Sequence, residues 1–409
     1  MKCRFCNTSL KHTFVDLGET PLANSYLSNE TIIEKEKNSP LKALVCEKCF
    51  LVQVDEFEKP EGIFTDYAYF SSFSTSWLEH VKNFSEEIIQ RFSLNKNSQI
   101  IEIASNDGYL LKNFKQKGIP VLGVEPASNV AKVAIDNSIP TINKFFGTKT
   151  VNDLKSEGYL SDILIAFNVL PHVPDLNDFI LGMKNILKKN GIIIIQFSAY
   201  LMDMLEKNEF DMVYHEHFSY FSLYTLKQIF EFHGLEIFDV KKIPVHGGSL
   251  RLFIKLKENQ EIQIKSEVNK LLENEKEIGL NNISKYEEFQ EQVSETRRKI
   301  KKFFVNAKNE SKKIVCYGAA AKGNTLLNFC ELGKNEIEYV VDISPHKQGK
   351  YLPGTHIPIF SPDKIKETKP DLVIILAYNL KKEIMEDANF IREWGGKFVI
   401  LIPEIEVIN

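Results

Sequence analysis

Five of ten consecutive residues near the middle of the chain can carry a proton or ligate a metal. They lie in Val213-Tyr214-His215-Glu216-His217-Phe218-Ser219-Tyr220-Phe221-Ser222, which holds two histidines, one glutamate and two tyrosines. Three chemistries suit the pattern. In extended chain, His215 and His217 point to one face and could grip a metal with a third ligand. An imidazole beside a carboxylate and a phenol suits acid–base work, because its pKa lies near working pH. An aromatic strand with polar positions would look the same. By itself the stretch leaves all three open.

Cysteine spacing is more decisive. Cys3-x-x-Cys6 and Cys46-x-x-Cys49 form two knuckles about 40 residues apart. That pattern suits a tetrahedral Cys₄ zinc site, each knuckle giving two thiolates from a tight turn. A redox pair normally opens a helix after a strand, and neither pair does. Four thiolates leave no open coordination position, so the expected zinc is structural. Cys316 and Cys330 stand in apolar surroundings and read as packing residues.

A third constellation is Glu102-Ile103-Ala104-Ser105-Asn106-Asp107-Gly108, a strand end running into a small-residue loop. Such loops bind nucleotide-like ligands in α/β sheets. Only Gly108 is a glycine, which disfavours a dinucleotide pyrophosphate. S-adenosylmethionine, which brings no phosphate, fits better. Glu125, 23 residues after Glu102 and followed by Pro126, is placed to accept from both ribose hydroxyls. Asn168 follows the next strand, where a further ligand-facing loop belongs. Toward the C-terminus, Gly318 to Asn324 opens a helix whose free N–H groups favour a phosphate. There Lys322 adds charge, Asn324 closes the turn, and Asp342 sits where a ribose grip would be. His246-Gly247-Gly248-Ser249 either brings backbone amides and an imidazole to a substrate or is a plain tight turn. Arg251 is suited to a carboxylate or a diphosphate.

These groups need elements to hold them. From about residue 98 strands alternate with helices: Ile100 to Ile103, Val121 to Glu125, Ile163 to Phe167, Ile192 to Phe197 and Leu250 to Leu256 read as strands. The pattern predicts a doubly wound parallel sheet. Residues 257–312 turn to Lys, Glu, Asn and Gln with sparse apolar positions, which predicts one or two amphipathic helices. From Lys313 a second, smaller alternating unit begins. The fold class is therefore α/β: a small zinc-binding domain over 1–65, a Rossmann-like domain over 66–256 whose loop suits S-adenosylmethionine, a helical linker over 257–312 and a Rossmann-like domain over 313–409. At 43% hydrophobic content with 29 Phe and 14 Tyr, cores of this number can be filled. The net charge of −4, without a basic stripe, argues against a nucleic-acid partner. No apolar run reaches bilayer length and the first residues lack a signal core, so a cytoplasmic protein without membrane association is expected.

The ordered motifs resemble those of the S-adenosylmethionine-dependent nucleotide-sugar C-methyltransferases, which methylate C-3 of dTDP-4-keto-6-deoxysugars. The resemblance covers nearly the whole chain. It runs through the four cysteines, Leu17-Gly18-Glu19-Thr20-Pro21-Leu22-Ala23-Asn24, Tyr67-Ala68-Tyr69-Phe70-Ser71-Ser72 and the Glu102–Gly108 loop. It continues through Asn168-Val169-Leu170-Pro171-His172-Val173-Pro174-Asp175, Tyr214-His215-Glu216-His217, His246 to Arg251 and Gly318 to Gly323. It implies S-adenosylmethionine and a structural zinc as cofactors and a nucleotide-sugar as the small-molecule partner. By the same resemblance His217 is the base, Glu216 orients or assists, Tyr214 stands close to the sugar, and Tyr67 and Tyr69 approach from the N-terminal side. His215 is expected to pack. Methylating carbon needs a carbanion-like nucleophile, so a base must take a proton alpha to a carbonyl while the enolate oxygen is stabilised. An N- or O-methyltransferase on a nucleotide-sugar would need no carbon acid, and a non-catalytic binding protein would bind cofactor weakly. Where the family usually has an acid and a proline, this chain reads Gln196-Phe197-Ser198-Ala199-Tyr200, a departure expected to bear on the sugar pocket. Oligomeric state is left open, with a monomer as the simplest expectation.

Overall fold

The computed structural model describes residues 1–60, 62, 71–245 and 247–409. Its central sheet has seven strands, in the order Leu235–Ile243, Ser249–Leu256, Leu187–Ser198, Ser161–Phe167, Ile100–Ile103, Val121–Val124, Thr141–Ile142. The inner strands are buried on both faces, which is why they read as unbroken apolar runs rather than alternating ones. Ile101, Leu122, Leu164 and Ile193 enter one core. Their neighbours Ile100, Val121, Ile163 and Ile192 enter another on the opposite face.

One strand departs from the expected parallel order. Ser249–Leu256 runs antiparallel to both of its neighbours, Leu187–Ser198 and Leu235–Ile243. Residues 244–248 are the whole connection from the preceding strand, and a parallel return needs a crossover of a dozen residues or more. The chain turns back through Gly247 and Gly248, at φ 87° and 130°, conformations that L side chains rarely adopt.

The N-terminal part is an antiparallel sheet of His12–Thr20, Ser39–Val45 and Val52–Val54, and its fourth strand comes from far away. Ser219–Tyr220 pairs with Val52 and Gln53, so the chain passes directly from His217 into the N-terminal sheet. The linker forms three helices, Ser266–Glu277, Ile283–Glu287 and Phe289–Asn309, one more than the upper expectation. Its sparse apolar positions Val268, Leu271, Val293 and Ile300 are all buried. So is Glu275, which accepts from the backbone N–H of Leu223 and Tyr224 (2.6 and 2.7 Å) and from the Tyr200 hydroxyl (2.5 Å). It thereby satisfies the open amides at the start of the helix Leu223–Phe232.

The C-terminal sheet follows the order Ile359–Phe360, Val340–Val341, Ile314–Tyr317, Leu372–Ile375, Lys397–Ile400, Glu406–Ile408, parallel except for the last strand. Cys316 in its strand Ile314–Tyr317 and Cys330 at the end of the helix Ala321–Cys330 are both buried, as packing residues should be. Among the described residues no helix is long and apolar enough to cross a membrane.

Candidate active site

The four paired cysteines converge. Their sulfurs all lie within 4.8 Å of one another. Cys3–Cys49, Cys6–Cys46 and Cys6–Cys49 are separated by 3.5, 3.5 and 3.6 Å. Thiolates about 2.3 Å from a tetrahedral zinc would stand about 3.8 Å apart, so the cluster fits the ion. Both knuckles close alike. Asn7 N–H donates to Cys3 O and Phe50 N–H to Cys46 O, each at 2.9 Å. Asn7 and Phe50 take left-handed φ values of 61° and 60°.

The stretch Tyr214 to His217 is a turn, not extended chain, closed by His217 N–H to Tyr214 O at 2.9 Å. The two imidazoles therefore diverge. His215 packs edge-on against Phe57 and places Nε2 3.2 Å from Ser39 O, so no metal pair forms with His217. His217 Nδ1 lies 3.1 Å from Met212 O. A carbonyl only accepts, so Nδ1 carries the proton and Nε2 is the acceptor. That acceptor receives the Tyr214 hydroxyl at 2.7 Å. Burial, with His172 alongside, pushes the His217 pKa well below the usual imidazole value. Burial therefore favours the neutral ring.

His172, quoted in the sequence only as part of a longer motif, is the residue missed. Its ring centroid is 4.8 Å from that of His217, and its Nδ1 donates to Glu216 O at 2.7 Å. Burial lowers its pKa to about 4. Its flanking prolines, Pro171 and Pro174, in the loop after Ser161–Phe167 were the available signal. Glu216 is buried, and both its oxygens accept from Asn24 Nδ2 at 2.9 Å. Burial lifts its pKa to about 7.

Tyr214, His217 and His172 line a cavity of about 560 Å³ shared with the small-residue loop. Ala104, Asn106, Glu125, Pro126 and Asn168 line it too. Glu125 is held by the N–H groups of Asn106 and Ala127, each at 2.8 Å, and each carboxylate oxygen keeps a lone pair for a ribose hydroxyl. Ser105, Asp107, Gly108 and Glu102 support this loop without lining the cavity. Ser105 Oγ packs against Gly123, where an added Cβ would come within 2.3 Å of it. Asn106 Oδ1 and Asp107 Oδ2 accept from Ser71 N–H and Ser72 N–H at 3.0 and 3.2 Å. They pin the end of the Tyr67–Ser72 motif over the loop. Tyr67 and Tyr69 themselves lie outside the described residues, as does His246. Glu102 is fully buried, and burial plus the nearby Glu125 and Asp107 raise its pKa well above the carboxylate range. Asn168 turns at φ 54° and accepts from Ser198 N–H at 3.2 Å.

Burial raises the Glu125 pKa to about 7, with a measurable consequence. Ribose hydroxyls bind the ionised carboxylate best, so ligand binding favours deprotonation. Affinity for S-adenosylhomocysteine should therefore weaken as pH falls below about 7, approaching tenfold per unit at the acid end. Titration calorimetry across pH 5.5 to 8 checks this, and a flat profile would contradict it.

A second, wider cleft adjoins the cavity at Trp77 and Asn379, and Gly247 and Ser249 line it. From the C-terminal sheet, Ala320, Ala321 and Lys322 reach the smaller cavity. Lys322 Nζ sits 3.5 Å above the Tyr378 ring, and Tyr378 donates to buried Asp211 at 3.1 Å. Burial lowers the Lys322 pKa while Asp211 and Glu209 oppose the shift. Asn324 is buried with Nδ2 3.4 Å from Ala23 O. Asp342 accepts from Ala319 N–H and Ser344 N–H, both at 2.8 Å, and meets Lys347 at 3.3 Å. It holds the turn into the helix and lines neither cavity.

Arg251 also lines neither. It is buried, stacked 4.4 Å from the Phe84 ring centre, and donates to Gln196 Oε1 through Nε (3.0 Å) and Nη2 (2.6 Å). Gln196, part of the departure noted in the sequence, gives this buried cation a neutral acceptor beside the Glu87 carboxylate, 3.7 Å from Nη1. Burial lowers the arginine pKa to about 10. Gln196→Glu should give the guanidinium a second, closer carboxylate in place of the amide and stabilise the fold by about 1–3 kcal/mol, read as a higher urea midpoint at unchanged slope. A lower midpoint would show that desolvation of the new carboxylate dominates.

Comparison with known proteins places the chain. Family models match a zinc binding domain over residues 3–64, a methyltransferase domain over 77–240 and a C-methyltransferase C-terminal domain over 244–403. The C-methyltransferase NovU of Streptomyces niveus is 33% identical over 408 residues, 100% of this chain and 97% of that protein. This chain belongs to the C-methyltransferase family. As a family member it is an S-adenosylmethionine-dependent C-methyltransferase carrying a zinc-binding domain. A ubiquinone biosynthesis O-methyltransferase from Bartonella tribocorum is 29% identical over 100 residues, 24% of this chain and 40% of that one. The magnesium protoporphyrin IX methyltransferase of Synechocystis PCC 6803, solved with S-adenosylmethionine, matches at 14% identity and a TM-score of 0.34. It covers 43% of this chain and 78% of its own. That likeness is too distant to bear on the site.

Proposed function

We propose that this C-methyltransferase methylates the carbon alpha to the ketone of a nucleotide-linked 4-keto-6-deoxysugar. One observation carries the reading. A neutral His217, its Nε2 bonded to the Tyr214 hydroxyl, opens on the same cavity as the Glu125 cradle for the methyl donor. Bound S-adenosylmethionine supplies a sulfonium methyl and its own leaving group. The protein must make a carbon nucleophile beside it.

Tyr214 is half-buried, His217 is buried, and both line the cavity, the phenol oxygen bonded to the imidazole Nε2. The phenol oxygen takes the alpha proton as its own proton passes to His217 Nε2. Met212 O holds Nδ1–H, which fixes the tautomer that leaves Nε2 as the acceptor. Burial keeps water from competing for that proton. The adjoining cleft gives the nucleotide a place outside the methyl-transfer cavity. Lys207 and Lys242 along it pair with Asp203 and Lys381 pairs with Glu406, so a diphosphate there would take these cations over from carboxylates, while Lys322 lines the smaller cavity.

Incubation with cofactor and a panel of dTDP-, GDP-, CDP- and UDP-linked 4-keto-sugars tests the proposal. Mass spectrometry should show one or a few members gaining a methyl group. A protein that binds S-adenosylhomocysteine yet methylates none of them, while methylating a carbon acid without a nucleotide, would contradict it.

A further inference from the structure

The two zinc knuckles are built into the methyltransferase site rather than set apart from it. Arg4 lies inside the first knuckle, between Cys3 and Cys6. Its side chain donates from Nη1 to Phe218 O at 2.9 Å, and its guanidinium lies 5.4 Å from the Phe218 ring centre. Phe218 is the residue after His217. The same Phe218 carbonyl accepts from Val54 N–H at 3.1 Å, and Phe218 N–H donates to Pro171 O at 2.7 Å, next to His172. A single peptide segment thus ties the N-terminal sheet to both histidines.

Gln53 completes the link to the cluster. Its Oε1 accepts from Arg4 N–H at 2.9 Å, and its Nε2 donates to Cys3 Sγ at 3.4 Å. Its own backbone pairs with Ser219. From the other side, Asn177 Nδ2 donates to Arg4 O and Phe5 O at 3.1 and 3.0 Å. Thr225 Oγ1 donates to Cys49 O at 3.0 Å. A charged donor on a fully buried carbonyl is a strong, directional bond, and this one sits one residue from the base.

We infer that Arg4, with Gln53, is a positioning residue for methyl transfer: the zinc knuckle sets the His217 imidazole through the Phe218 carbonyl. Neither residue lines the cavity, so neither touches substrate or methyl donor. The inference rests on the reading of His217 as the base, and its test separates the two.

Three full-length, zinc-loaded variants serve: Arg4→Met, which keeps the stem and removes the donors, Arg4→Lys, which keeps one, and Gln53→Leu. Zinc content and S-adenosylhomocysteine affinity are expected to stay at the unsubstituted level in all three. In Arg4→Met and Gln53→Leu, kcat should fall at least tenfold with KM little changed, and Arg4→Lys should recover most of it. The imidazole ¹H–¹⁵N signal of His217, assigned by its absence in His217→Asn, should shift in Arg4→Met and return in Arg4→Lys. An unmoved signal, an unchanged kcat, or loss of zinc from both Arg4→Met and Gln53→Leu would overturn the inference. Full activity in His217→Asn would instead remove the base assignment, while the dependence of the His217 signal on Arg4 would still be read directly.

Discussion

Replacing His217 by Asn should lower kcat by about 10²–10⁴-fold, the range lost with a positioned general base, while S-adenosylhomocysteine affinity stays nearly unchanged. The amide can still accept a hydrogen bond from Tyr214, but it cannot take up a proton at neutral pH. The His217 pKa is pushed well below 6.5 by burial and by His172. In the unsubstituted enzyme the acid limb of kcat attributable to this group should therefore lie below the usual imidazole value, because protonation removes the base only once pH falls to the depressed pKa. A normal kcat in His217→Asn, with cofactor binding intact, would sink the assignment.

The second large effect concerns the metal. Cys49→Ser should abolish zinc retention and turnover together. Structural zinc contributes about 10–16 kcal/mol of apparent binding free energy in small zinc modules, as much as the whole stability of an ordinary domain. Here the strand Val52–Val54 leads directly from the second knuckle, and Ser219–Tyr220 pairs against it. Losing the cluster frees both strands and, with them, the turn that fixes His217. The central sheet has a separate core around Ile100, Ile163 and Phe253, so residual cofactor binding is expected while turnover is lost. Zinc analysis alongside activity decides the matter. A zinc-free variant with full turnover would show that the cluster supports nothing in the site.

The parts of this account that were legible in the sequence are those whose chemistry is local. Each CxxC knuckle announces itself within four residues. The Glu102–Gly108 loop and Glu125 belong to adjacent strands joined by one helix, so their meeting follows from βαβ geometry. Non-local pairings were not legible. Nothing near Ser219 or Tyr220 shows that they complete an N-terminal sheet, because the partner strand at Val52–Val54 is far off in the chain and the segment is only two residues long. Glu275 stands among the many charges of the linker with nothing beside it in sequence to mark it, yet it is buried on three donors, a role visible only once Leu223, Tyr224 and Tyr200 are brought to it. The reversed strand Ser249–Leu256 was within reach, since a five-residue connection cannot make a parallel crossover. The extended reading of His215-x-His217 failed because His217 N–H closes on Tyr214 O, and the turned side chains are then held by nearby Met212 and by distant Asn24 and Ser39.

The central claim is that a proton leaves a sugar carbon before the methyl arrives there. Reaction of a dTDP-linked 4-keto-6-deoxysugar with ¹³C-methyl-labelled S-adenosylmethionine, followed by carbon NMR, tests it most directly. The labelled methyl should sit on a ring carbon alpha to the ketone, seen as long-range correlations from the neighbouring ring protons, in a product formed by the unsubstituted enzyme and not by His217→Asn. A labelled methyl on oxygen or nitrogen, or a C-methyl product formed equally well without His217, would contradict it.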